Sequence, residues 1–287
     1  MILVYNILME PKVTAILKEL EGARILTSSI CEIKEHRGGT DTILLEITDT
    51  DKDVAVKIEK PELVKQVVSF LGAYRDITLF PNLLYVSKDF SFFVYPFIKG
   101  EKSKRALTEQ ELESIVENVI NHYQVSETNY WGEQMYSSTT ILEYINSLLV
   151  DQKEKIAEVL GQDEYQKVFE LTQSLFAAFD EKPYLTHGDL GSHNIIIENN
   201  TISGIIDPLI ENSLPVIELA FLLCSMVHDY GVDTIKELFS KLKTPSGFNK
   251  QDFLKIYRIM LYIRIGRCLK YNPRDIETYL KIYRNLL

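Results

Sequence analysis

The sequence predicts an α+β fold in two lobes, an N-terminal antiparallel-sheet lobe followed by a mainly helical C-terminal lobe. Residues 30–58 alternate between apolar and polar in the period-two manner of half-buried strands. From Thr108 onward apolar residues recur at helical spacing. Between these regimes, Pro96-Phe-Ile-Lys-Gly100 supplies chain-punctuating residues and marks the boundary. Residues 1–97 are therefore assigned to the first lobe and 98–287 to the second. A chain of 287 residues is long enough to give both lobes a well-buried core.

In chain order, the apolar run Met1–Met9 ends at Glu10-Pro11-Lys12. Three successive antiparallel strands are expected at Ile30–His36, Thr42–Ile47 and Val54–Ile58. Gly38-Gly39 makes the first turn, and the polar stretch Thr48–Asp53 makes the second. A helix follows with Pro61 in its first turn and Leu63, Val67, Phe70 and Leu71 at helical spacing. Leu83–Val86 and Phe92–Tyr95 read as two more strands around the turn Ser87-Lys-Asp89. Thr108 and Glu111 form a capping box ahead of Leu112, Ile115, Val116, Val119 and Ile120. Further helices are expected near 140–160, 164–180, 215–229, 233–242, 250–271 and 274–286. One island breaks this helical half: the β-branched runs on either side of Asn199-Asn200, which read as a hairpin.

Charge and cysteine usage narrow the function classes. With 31 Lys and Arg against 41 Asp and Glu, the net charge of -10 repels phosphate backbones and disfavours nucleic acid as a partner. Cys31, Cys224 and Cys268 are odd in number and widely spaced, as expected in a reducing cytoplasm. The Met1–Met9 run lacks a basic leader and a cleavage site. The longest later apolar stretch, Val216–Val227, contains Glu218 and falls short of the roughly 20 residues that span a bilayer. Neither secretion nor membrane insertion is expected.

The hairpin carries the chemistry. A two-residue turn at Asn199-Asn200 pairs Glu198 with Thr201 and places Asn194 opposite Ile205, with Asp207 on the same face two positions on. Asn194 and Asp207 then converge at the open end, and their oxygens suit Mg²⁺, a hard ion held by few protein ligands alongside substrate phosphates. The loop His187-Gly-Asp189-Leu-Gly-Ser-His-Asn194 leads into this end. Asp189 is thereby placed to orient and deprotonate a hydroxyl nucleophile during phosphoryl transfer.

The run His187–Asn194 followed by Ile205-Ile-Asp207 resembles the catalytic core of the aminoglycoside phosphotransferase and choline kinase-like branch of the protein-kinase-like fold. The architecture matches over most of the chain, the specific motif over about 20 residues. The resemblance implies Asp189 as base, Asn194 and Asp207 as Mg²⁺ ligands, and ATP or GTP as phosphate donor. It also implies that Lys57, on the third strand, contacts nucleotide phosphates, that Gly38 and Gly39 cover them, and that Ile98 offers its backbone to the base. Gly38-Gly39 is equally read as a plain turn.

Several features depart from that pattern. The helix after Lys57 has an acid only at Glu62, close to its start, so the lysine's partner is open. Pro208 biases Asp207 toward extended backbone, as suits a fixed ligand. His187 is expected to order the loop by hydrogen bonding, while Ser192 and His193 receive no role. Glu218 resembles an acid that braces the catalytic loop, but its place near a helix N-terminus explains it equally well.

Only Pro208–Leu214, seven residues, separates Asp207 from the next helix, with no D-F-G or A-P-E. A protein-kinase activation segment does not fit there, so a small-molecule acceptor is favoured. An aminoglycoside, choline, homoserine or a sugar would serve, and a non-catalytic nucleotide-binding protein is the alternative from another class. Fold analogy does not choose among them.

Overall fold

A computed structural model describes residues 11–27, 29–38, 42–50, 52–243 and 247–286. It consists of two compact units dividing between Gly100 and Glu101. The first is built on a five-stranded antiparallel sheet of β1 (Glu32–Gly38), β2 (Thr42–Thr48), β3 (Asp53–Ile58), β4 (Tyr85–Val86) and β5 (Phe92–Pro96), in the order β1-β2-β3-β5-β4. Pairing Lys57 with Leu44 and Phe93 fixes β3 in the middle of the sheet.

A helix absent from the sequence expectations, α1 (Pro11–Gly22), covers one face of the sheet. Pro11 is its first described residue. Val13, Ile16, Leu17 and Leu20 form its buried stripe. They pack with Ile33, Leu45, Ile47, Val54, Val56 and Val94. Val54, Val56 and Ile58 belong to that core, so alternation puts Lys57 on the opposite face of β3. Helix α2 (Pro61–Ala73) buries Val64, Val67, Phe70 and Leu71. Met1–Met9 and Gly39 lie outside the described residues.

The second unit opens with the short strand β6 (Glu101–Lys102), followed by helices α3 (Glu109–Asn118), α4 (Ile141–Val150), α5 (Lys153–Leu160) and α6 (Asp163–Phe176). The capping box at Thr108 and Glu111 is formed, and Thr140 with Glu143 makes another ahead of α4. The single helix expected near 140–160 is thus two, separated at Asp151-Gln152.

Then come β7 (Tyr184–Thr186), β8 (Ile195–Glu198), β9 (Thr201–Ile205) and β10 (Glu211–Ser213), with helices α7 (Pro215–Ser225), α8 (Val232–Ser240), α9 (Lys250–Tyr271) and α10 (Ile276–Asn285). Every residue of α7 is buried, which accounts for its near-continuous apolar sequence. Strands β6, β8 and β9 form one sheet, and β7 pairs with β10. Among the described residues no helix is long and apolar enough to cross a membrane, and the three cysteines are unpaired.

Candidate active site

The hairpin β8–β9 turns at Asn199-Asn200, both with positive φ (50° and 62°), and pairs Glu198 with Thr201 as expected. Its register then shifts. A bulge after Ile197 leaves Ser203 as the extra residue, so Ile196 faces Gly204 and Ile195 faces Ile205. Asn194 is therefore not opposite Ile205; its carbonyl accepts the Ile206 N–H at 2.9 Å. Since a one-residue slip reverses which way side chains point, the same-face argument for Asn194 and Asp207 fails. Asp207 also departs from extended backbone, with φ at 59°. Asp tolerates this left-handed region better than most residues, and the local hydrogen bonds overrule the pre-proline bias.

Those hydrogen bonds tie the loops into one body. Leu209 and Ile210 donate backbone N–H groups to the His187 carbonyl at 2.9 and 3.1 Å. The imidazole of His187 is fully enclosed, with Nε2 3.1 Å from the Ile206 carbonyl and Nδ1 accepting from the Asp189 N–H at 3.3 Å. Burial depresses its pKa to about 4, which keeps the ring neutral and fixes the Nε2–H tautomer by this bonding pattern.

Asp189, Asn194 and Asp207 are brought together in this unit. The Asn194 side-chain Nδ2 donates to the Asp189 carboxylate and to its carbonyl, each at 2.9 Å, and lies 3.5 Å from the Asp207 carbonyl. With Nδ2 so engaged, the amide oxygen is the atom left to ligate a cation. His193, which carried no sequence-derived role, places Nε2 2.9 Å from Asp189 Oδ2. Lys102 of β6 sets its ammonium 3.7 Å from the Asp207 carboxylate. Among the described residues no group of three or more His, Cys, Asp or Glu makes a complete metal cage. One carboxylate and one amide oxygen fit Mg²⁺, which takes its remaining ligands from water and phosphate.

Glu218 has a definite task. Its carboxylate accepts the Gly188 N–H at 2.9 Å and the Leu190 N–H at 3.3 Å, bracing both flanks of Asp189 from α7. Burial raises its pKa to about 7 against the pull of those amides. Glu211 on β10 lies against Gly188 (φ 74°), where an added Cβ would stand 2.8 Å from the glutamate Cγ. Its carboxyl accepts from the Tyr144 hydroxyl at 2.7 Å, and burial raises its pKa to about 8.

In the first unit, Lys57 is 7% exposed, and its ammonium lies 3.2 Å from the Glu59 carboxylate, which also accepts from Thr42 at 2.8 Å. An acidic partner is thus supplied two residues along the chain. Gly38 ends β1 opposite Thr42, and Ile98 follows β5, half-buried.

No protein-family profile matches the chain, nor does any curated protein. Solved structures do. A choline kinase from Cryptosporidium parvum superposes with a TM-score of 0.62 at 13% identity, covering 95% of this chain and 96% of that one. A thermostable mutant of the aminoglycoside phosphotransferase APH(4)-Ia, in complex with AMP-PNP and hygromycin B, gives 0.61 at 14% identity over 94% and 96%. An ethanolamine kinase from Plasmodium vivax gives 0.57 at 14% identity over 97% and 89%. The chain has the protein-kinase-like fold these proteins share.

Proposed function

We propose that this chain is a small-molecule kinase transferring the γ-phosphoryl group of ATP or GTP to an acceptor hydroxyl. The observation that carries the reading is the Asp189–Asn194–Asp207 cluster, held at one end of a hairpin in a protein-kinase-like fold. Asp189 orients the acceptor hydroxyl and takes its proton as that oxygen bonds to the γ-phosphorus and the bridge to the β-phosphate breaks. His193 and Asn194 fix the Asp189 carboxylate for this role by donating to it. Glu218 and His187 hold the surrounding loop and move no protons. Asn194 and Asp207 would hold Mg²⁺, which when bound would supply positive charge against the transferring phosphates. Lys57 contacts the nucleotide phosphates, with Gly38 covering them and the Ile98 backbone meeting the base. Residues 1–97 form the nucleotide lobe and 98–287 the catalytic and acceptor lobe.

A small acceptor is favoured because only seven residues, Pro208–Leu214, separate Asp207 from α7, three of them, Glu211–Ser213, pairing with β7, too few for a protein-kinase activation segment. The structurally similar proteins are named for choline, ethanolamine and aminoglycoside chemistry, which makes hydroxylated amines the first acceptors to try. Three unpaired cysteines suit the reducing cytoplasm, where the nucleotide is abundant.

Thermal melts with and without Mg·ATP or Mg·GTP test the nucleotide site. At about 100 times its dissociation constant, a ligand stabilises by about 2.7 kcal/mol. A magnesium-dependent rise in wild type that disappears in Asp207→Ala is expected; no rise with either nucleotide would overturn the reading. Asp189→Ala should keep the rise and lose turnover by at least about 100-fold, as removal of a general base requires.

A further inference from the structure

Lys102 stands in the basic run Lys99-Gly-Glu-Lys-Ser-Lys-Arg105 of an otherwise acidic chain. Lys99, Lys104 and Arg105 pair with Asp53, Glu101 and Glu111, none of them part of the catalytic cluster. Lys102 instead reaches Asp207, at 3.7 Å. Its place is fixed by backbone: β6 pairs Lys102 with Ile196, and Ser103 donates to the Ile195 carbonyl at 2.9 Å, beside Asn194. Both heads remain open to a ligand, the lysine side chain being 53% and the aspartate 37% exposed.

We propose that Lys102 is a further phosphate-binding residue, whose ammonium moves from the Asp207 carboxylate to nucleotide phosphate oxygens as a divalent cation takes that carboxylate. The inference rests on the reading of Asp207 as metal ligand. Two cations on one carboxylate repel each other, so the lysine weakens binding of the ion alone. A nucleoside triphosphate brings several anionic oxygens that accept the displaced ammonium, and a lysine's flexible stem suits such an exchange. Cation and nucleotide therefore bind synergistically, each favouring the other by the same factor.

Lys102→Met separates this role from a merely structural one, because the two affinities move in opposite directions. With Mn²⁺ as the probe ion, followed by electron paramagnetic resonance of the free ion, the variant should bind the ion alone about 2- to 5-fold more tightly, the range of a partly exposed ion pair. At saturating Mn²⁺ it should bind AMP-PNP more weakly by a similar factor, while Lys102→Arg keeps the wild-type pattern. Unchanged affinities, or both weakened together, would overturn the proposal while leaving the kinase reading intact. If the wild type binds no Mn²⁺-nucleotide, or Asp207→Ala binds it as well as wild type, the kinase reading itself fails and this proposal with it.

Discussion

Burying Glu218 under a loop of backbone amides exchanges hydration for two hydrogen bonds, and the loop's geometry depends on that exchange. Glu218→Ala would leave the Gly188 and Leu190 N–H groups without their acceptor. Urea denaturation should show a loss of about 2–6 kcal/mol, since each of the two orphaned donors costs about 1–3. Gly188→Ala meets a second constraint, a positive φ together with a Cβ 2.8 Å from Glu211 Cγ, and should cost about 1–3 kcal/mol. At this scale the sequence was only partly legible. Glu218 lies about thirty residues from the loop it braces, so no local spacing announces the contact. Glu59 was within reach of sequence reasoning, because residues two apart near a strand end share a face, as Lys57 and Glu59 do.

At the scale of elements, the bulge in β8–β9 decides which residue of the second strand stands across from Asn194. The turn at Asn199-Asn200 was readable because its residue type tolerates positive φ, whereas the bulge was not assigned. Its available signal was Gly204 within a strand pattern, a frequent mark of irregular pairing. Deleting Ser203 removes the bulge and the bend it puts into β9, and should displace Asp207 from Asn194 and lower turnover by about 100-fold or more, the cost of a misplaced catalytic group. Ser203→Ala, which retains the extra residue, should stay near wild-type turnover in the same assay. Helix α1, absent from the sequence expectations, carries its own signal in Val13, Ile16, Leu17 and Leu20 at helical spacing.

For the whole molecule, the two lobes and their order were legible because each has its own hydrophobic period, whereas the acids buried in the helical unit were not. Glu211 and Glu218 couple site and stability through pH. Burial holds their pKa values at about 8 and about 7, above the ordinary glutamate value of 4.5. The folded state thus binds more protons than the unfolded chain between about pH 4.5 and 8. Stability is fully present below that window and declines as pH rises through it, by on the order of 5 kcal/mol for Glu211. Denaturation midpoints measured across pH 5–9 should show this decline, and Glu211→Gln should flatten it. Phosphorus NMR of the protein with Mg·ATP and a panel of choline, ethanolamine, homoserine, sugars and aminoglycosides tests the central claim most directly. A new phosphomonoester resonance with at least one acceptor, absent in Asp189→Ala and Asp207→Ala, is the predicted result. Bound Mg·ATP with no phosphoester formed from any of these hydroxyl compounds would contradict it and leave a nucleotide-binding protein that transfers nothing.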